Sequence, residues 1–171
     1  RSLDYIGSED TIKPQYAVER LYELTKDKDT YITTEVGQHQ MWAAQYYKFE
    51  KPNKWITSGG LGTMGFGFPA AIGAQFARPK EKVWAVVGDG GFQMTLCDLA
   101  TAVENKIDVK FAILNNGTLG MVHQWQDLFY EKDYFATVYS GNPDFVKLAE
   151  AYGITGIRVT EKGQVADAIQ Q

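Results

Sequence analysis

One cysteine among 171 residues excludes an internal disulfide. Cys97 lies in an apolar helical stretch, Met94 to Ala100, and is expected to be a buried small hydrophobe rather than a reactive thiol. Positive charge is not in excess either: the formal net charge is −4, so there is no basic stripe for nucleic acid. No run approaches the roughly 18 consecutive apolar residues of a membrane span. Internal repeats and low-complexity tracts are absent, and Arg1 to Asp4 carry no signal-peptide pattern, which points to a cytoplasmic or organelle-matrix setting. What is present is an ordinary globular composition, 44% hydrophobic and 22% charged, in a chain about one domain long.

Within that composition two apolar runs end alike. Val86-Val87 leads into Gly88-Asp89-Gly90-Gly91, and Ile113-Leu114 leads into Asn115-Asn116-Gly117. In an open parallel sheet ligands collect at the carboxyl ends of strands, so Asp89 and Asn116 on neighbouring strands can share one cation. A carboxylate and a neutral amide oxygen suit Mg2+, which completes its shell with phosphate and water. The Thr118 backbone carbonyl is a third candidate oxygen. Gly88, Gly90 and Gly91 let backbone N–H groups approach phosphate, and a helix expected to start near Phe92 points its positive end there. The interval between Asp89 and Asn116 fits one βαβ unit: a helix over 94–105, a bend at 106–108 and a strand over 109–114.

The rest of the chain alternates similarly. Pro14 suits the first turn of a helix with Tyr16, Ala17, Leu21 and Leu24 at helical spacing. Strands are read at 30–34 and 55–57, helices opening at Gly37 and near Pro69, then a helix over 143–152, a strand at 157–159 and a helix from about Gln164. The pattern predicts an α/β fold, doubly wound, with a mainly parallel sheet and helices on both faces. Residues 1–12 read as a linker from a preceding domain and 13–171 as the domain itself. The chain is expected to be a truncated piece lacking its last strand, with 127–142 mobile without the rest of the protein.

Each motif has a plainer reading. Gly60-Leu61-Gly62-Thr63-Met64-Gly65 matches G-x-G-x-x-G, but no acidic residue ends a following strand: Glu81 falls in a turn, so dinucleotide binding is disfavoured. Asp89 alone would read as a turn aspartate bonding local N–H groups. Gln38 and His39 open a helix after a strand end, where they can meet phosphate or merely cap. His123 is read as a helix-face residue with no orienting carboxylate, so no histidine-driven mechanism is expected. Met64, Met94, Met121, Val122 and Trp125 are ordinary core candidates, yet their three segments follow strand ends and would form an apolar wall around a ring, lowering the local dielectric.

G-D-G at 88–90 with N-N at 115–116 resembles the signature of the thiamine diphosphate decarboxylases and carboligases. More specifically, T-E-V-G-Q-H-Q-M-W-A-A-Q at 34–45, T-S-G-G-L-G-T-M-G at 57–65 and G-M-V-H-Q-W-Q at 120–126 resemble the catalytic large subunits of the acetohydroxyacid synthase (acetolactate synthase) family, in their C-terminal cofactor domain. The resemblance implies a thiamine diphosphate-binding fold with Mg2+ on Asp89, Asn116 and the Thr118 carbonyl. It further implies cofactor contacts from Val36, Gly37, Gln38, His39, Gly62, Met64, Gly88, Gly90, Gly91, Met94, Gly120, Met121 and Val122. Met121, Val122 and Trp125 would shape the pocket for the second 2-keto acid.

The family reaction decarboxylates pyruvate and joins the two-carbon unit to pyruvate or 2-ketobutyrate, giving 2-acetolactate or 2-aceto-2-hydroxybutyrate for branched-chain amino acid biosynthesis. No catalytic residue is expected in this chain, because the family's activating glutamate comes from another domain of a partner subunit. FAD would be bound by a domain absent here. A homodimer or tetramer of full-length subunits, with or without a regulatory small subunit, is implied. Pyruvate oxidase, glyoxylate carboligase and oxalyl-CoA decarboxylase types share the cofactor motifs and remain alternatives, as does a non-catalytic metabolite-binding module. A purely structural oligomerisation domain has little support.

Overall fold

β-Branched residues dominate β1 (Thr30–Thr34), and alternation organises β3 (Lys82–Gly88), a strand with a buried face on each side. In the computed structural model, which describes residues 3–171, Val83, Ala85 and Val87 enter one core while Val86 and Trp84 enter the other. With β2 (Trp55–Thr57) and β4 (Lys110–Leu114) they form a four-stranded sheet in the order β2-β1-β3-β4, parallel throughout. The chain leaves β1 toward β2, then crosses back to β3 on the other side. The carboxyl ends of β1 and β3 therefore flank a topological switch point.

Helices cover both faces, as the alternation predicts. On one face lie α3 (Gly67–Ala77), α4 (Asp89–Met94), α5 (Leu99–Glu104) and α7 (Phe145–Ala151), which contribute Phe68, Ile72, Phe92, Leu99 and Leu148 to the core. On the other, α1 (Pro14–Thr25), the end of α2 (Gln38–Tyr46) and α8 (Val165–Gln170) supply Val18, Leu21, Tyr47 and Ile169. The remaining helix, α6 (Gly120–Phe129), follows β4 and buries no residue fully. Among the described residues no helix is long and apolar enough to cross a membrane.

Several local expectations are corrected. The helix after Gly88 begins at Asp89, not near Phe92, because Gly88 is already extended (φ −84°, ψ 156°) and Asp89 takes the first turn, where a carboxylate favours the dipole. The single helix expected over 94–105 is broken: Thr95 leaves helical geometry (φ −132°, ψ 18°), its hydroxyl donates to the Gly65 carbonyl at 3.0 Å, and a 3-10 turn over Leu96–Asp98 precedes α5. That break turns Cys97 outward, so it is exposed rather than buried.

α1 faces the core with Val18, Leu21, Tyr22 and Thr25; Tyr16, Ala17 and Leu24 are only half-buried. α7 starts two residues later than expected, where the Asp144 carboxylate accepts the Val146 and Lys147 N–H groups. Residues 157–159, read as a strand, find no neighbouring strand to pair with among the described residues. Near the N-terminus Tyr46 donates its hydroxyl to the Leu3 carbonyl and Tyr5 to Glu19, so the segment read as a linker lies along α1 and α2.

Candidate functional site

The strand register carries the chemistry to one edge. Thr34 pairs with Val86 and Gly88 with Leu114, so Glu35, Asp89 and Asn115 each follow a strand end on that side. Phe92, 2% exposed and packed on Phe68, Phe111 and Phe145, anchors α4 one turn beyond Asp89. Asp89 is itself 2% exposed. Its Oδ1 accepts the Gly90 N–H at 3.0 Å, and its Oδ2 accepts the Gly117 N–H at 2.8 Å and the Asn142 amide at 2.6 Å. Local N–H bonding and a candidate cation ligand thus coexist in one carboxylate. Asn116 stands exposed one residue from Gly117, and its Oδ1 accepts the Thr118 N–H at 3.1 Å.

This donor set is one carboxylate, one amide oxygen and one backbone carbonyl. Such oxygen donors fit a hard divalent cation that keeps positions for phosphate oxygens and water. Among the described residues no group of three or more His, Cys, Asp or Glu side chains is arranged to hold a metal, so a closed cage of charged ligands is not how these residues would bind one.

An anion cradle adjoins the carboxylate. No side chain caps α2, whose N-cap Gly37 lies at φ 149°, so its first N–H groups lack a side-chain acceptor. Gly90 and Gly91 start α4 beside it. A Cβ on Gly91 would strike the Glu35 carboxylate, and one on Gly90 the Tyr139 hydroxyl. Glu35 is fully buried, accepting the Gly65 N–H at Oε2 and the Gly88 N–H at Oε1 (3.2 Å). Burial pushes its carboxyl up to about 7, against the pull of those two N–H groups and with a further push from the Asp89 charge.

His39 packs its ring 3.1 Å from the positions a Cβ would take on Gly37 and Gly88. Its Nε2 has no hydrogen-bond partner and stands 3.8 Å from Glu35 Oε1. Burial alone brings its imidazole down to about 4, so it is neutral near pH 7.

Residues 35–171 match the family model of the thiamine pyrophosphate enzyme C-terminal TPP-binding domain. The chain belongs to that family. It is similar to the acetolactate synthase of Mycobacterium leprae, with 51% identity over 96% of this chain and 27% of the relative. The acetolactate synthase isozyme 3 large subunit of Escherichia coli is 48% identical over 99% of the chain and 30% of the relative. The mitochondrial acetolactate synthase catalytic subunit of Aspergillus candidus is 52% identical over 93% and 23%. The chain therefore spans under a third of the length of these relatives.

Within this thiamine pyrophosphate-binding domain the residues singled out from sequence fall into connected groups. Gly65 lies against Met94 and Thr95, joining the glycine loop that carries Gly62 and Met64 to α4; the Val36 side chain is 3.9 Å from the place a Cβ on Gly62 would occupy. Gln38 donates to Gln124 at 2.8 Å and a Cβ on Gly120 would strike its side chain, joining α2 to α6. Met64 and Met121 are half-buried, whereas Met94, Val122 and Trp125 are exposed. His39 is part of the wall of the cradle rather than its surface.

His123 does have a carboxylate nearby, contrary to the sequence reading. Asp127, one turn along α6, approaches Nδ1 to 3.9 Å, too far for a hydrogen bond, and its other oxygen accepts from Tyr134, whose ring stacks on His123. The i,i+4 spacing was the available signal. Three residues at the site went unnoticed: Glu35, Tyr139 and Asn142. Glu35 had a visible mark, an acidic residue closing a β-branched strand just before a glycine. Tyr139 and Asn142 had none, since they reach the site from a distant segment.

Proposed function

We propose that this chain is the diphosphate- and Mg2+-binding domain of an acetolactate synthase catalytic subunit, acting on 2-keto acids. The observation that carries the reading is the pairing of buried Asp89 with exposed Asn116 at adjacent parallel strand ends, beside the uncapped N-terminus of α2. Relatives at about half identity, named acetolactate synthases, support this reading of the chemistry.

In this reading Asp89, Asn116 and the Thr118 carbonyl hold Mg2+. The N–H groups around Gln38, Gly90 and Gly91 take the diphosphate, with Val36, Gly37, His39, Gly88 and Gly120 shaping the cradle. Gly62, Met64, Met94, Met121 and Val122 bear on the rings of the cofactor. Bound thiamine diphosphate supplies the electron sink for decarboxylation and carbon–carbon bond formation. The protein's part is to orient the cofactor, exclude water and, through Met121, Val122 and Trp125, select the second 2-keto acid.

The wider protein is proposed to carry FAD and the activating glutamate in other domains, to assemble as a homodimer or tetramer, and to accept a regulatory small subunit. Residues 1–12 would link a preceding domain to the cofactor domain at 13–171. A bacterial cytoplasm or an organelle matrix is the proposed setting.

Calorimetric titration of thiamine diphosphate tests the site: binding is expected to require Mg2+ and to vanish in Asp89→Ala. Binding that ignores both overturns it. For the reaction, a catalytic subunit carrying this chain is expected to make acetolactate from pyruvate, with a preference for 2-ketobutyrate that Trp125→Leu reduces. Acetaldehyde, acetate or acetyl phosphate as the product would move the protein to a related enzyme.

A further inference from the structure

Asn142 lies far from the site in sequence, immediately before Pro143, a context that favours extended backbone. The segment leading to it is fastened to the loop after β4: Leu119 N–H donates to the Thr137 carbonyl at 2.8 Å and Tyr139 N–H to the Gly117 carbonyl at 2.9 Å. Fastened in this way, the side-chain amide of Asn142 reaches Asp89 across 53 residues.

Three of its hydrogen-bonding positions are used. Nδ2 donates to Asp89 Oδ2 at 2.6 Å and to Asn115 Oδ1 at 2.9 Å, while Oδ1 accepts from Gln93 Nε2 at 3.1 Å. Gln93 in turn donates to the Asp89 backbone carbonyl at 3.2 Å. The orientation of the amide is determined by this pattern. Turned over, it would set its oxygen against the Asp89 carboxylate and the Asn115 oxygen, and its NH2 against the Gln93 donor.

The consequence is an unequal division of the Asp89 carboxylate. Oδ2 receives two donors, Gly117 N–H and Asn142, whereas Oδ1 receives one, Gly90 N–H. The adjacent asparagines, both exposed, differ in partner: the Asn115 oxygen accepts from the Asn142 side chain, while the Asn116 oxygen accepts the local Thr118 N–H at 3.1 Å. We infer that Asn142 is a positioning residue for the cation site, holding Asp89 and Asn115 so that Asp89 Oδ1 and the Asn116 oxygen, each with a single backbone N–H donor, keep lone-pair capacity for Mg2+. The inference rests on the proposed cation site, and outer hydrogen-bond partners of this kind contribute about 10- to 100-fold to metal affinity.

The test is Mg2+ affinity, measured by calorimetry on the 171-residue chain at saturating thiamine diphosphate, beside the thermal midpoint of each variant. Asn142→Leu keeps the approximate shape and removes both donors. It is expected to weaken Mg2+ binding by about 10- to 100-fold, with a thermal midpoint close to wild type. Unchanged Mg2+ affinity overturns the inference, as does a loss that merely tracks lost stability. Should Asn142→Leu fail to fold, Gln93→Leu removes the donor that orients the amide, together with its bond to the Asp89 backbone carbonyl, and is expected to weaken Mg2+ several-fold; no change there is equally fatal. Asp89→Ala separates the two claims. If Asp89→Ala abolishes Mg2+ binding and Asn142→Leu does not affect it, the cation site stands and the role of Asn142 falls. If wild type shows no Mg2+-dependent binding, or Asp89→Ala leaves it intact, both fall.

Discussion

Gly91 has no room for a side chain, because a methyl group there would overlap the carboxylate of Glu35, which is fully buried and bonded to two backbone N–H groups. Gly91→Ala must therefore displace a group with nowhere to go. A loss of about 2–4 kcal/mol is expected. Gly60 offers the contrast: nothing lies within 4 Å of its missing Cβ, so Gly60→Ala should change stability by under about 0.5 kcal/mol. Urea denaturation of the two variants checks the pair, and equal effects would contradict the packing described. Sequence alone showed both as members of glycine-rich turns. Which of them is sterically obligatory depends on Glu35, a residue just past the end of β1.

At the scale of elements, the carboxyl end of β1, the first turn of α2 and the end of β3 meet around Glu35 and His39, two buried groups whose titrations oppose each other. The folded chain keeps the Glu35 proton up to about 7, above its ordinary 4.5, so between those values the folded state binds more protons and stability falls as pH rises. The folded chain releases the His39 proton near 4, below its ordinary 6.5, so there the unfolded state binds more and stability rises with pH. Over about pH 4.5 to 6.5 the two effects offset. Glu35→Gln should leave a stability that climbs from about pH 4 to 6.5, and His39→Asn one that declines from about 4.5 to 7, each by about 3 kcal/mol. Denaturant titrations across this range measure the slopes; parallel profiles for wild type and both variants would refute the assignment. The β-branched strand and the glycine before α2 were visible in the sequence. The burial of both groups was not, since it requires α2 and β3 to close over them.

The whole molecule is a sheet with a core on each face and an exposed apolar band along α6 and the residues after it, including Val122, Trp125, Leu128 and Phe129. It matches under a third of the length of its acetolactate synthase relatives. Glu35, a buried acid against Gly91, is already committed to Gly65 and Gly88. The chain alone is accordingly expected to give no turnover of pyruvate even where it binds cofactor. Acetolactate formed by the purified chain would overturn that expectation and place a sufficient catalytic group within these residues.

Strand and helix alternation, a mainly parallel sheet and the oxygen-rich turns at Asp89 and Asn116 follow from residue order, because periodicity, propensity and turn chemistry act between near neighbours. The helix break at Thr95 depends instead on the Gly65 carbonyl, 30 residues away. The contacts of Glu35 with Gly88 and of Asn142 with Asp89 each span 53 residues. Such contacts leave no periodic trace in the chain. They exist because the crossover at the β1/β3 switch point brings distant segments within hydrogen-bonding distance and removes water from between them, where an unpaired polar group would be costly.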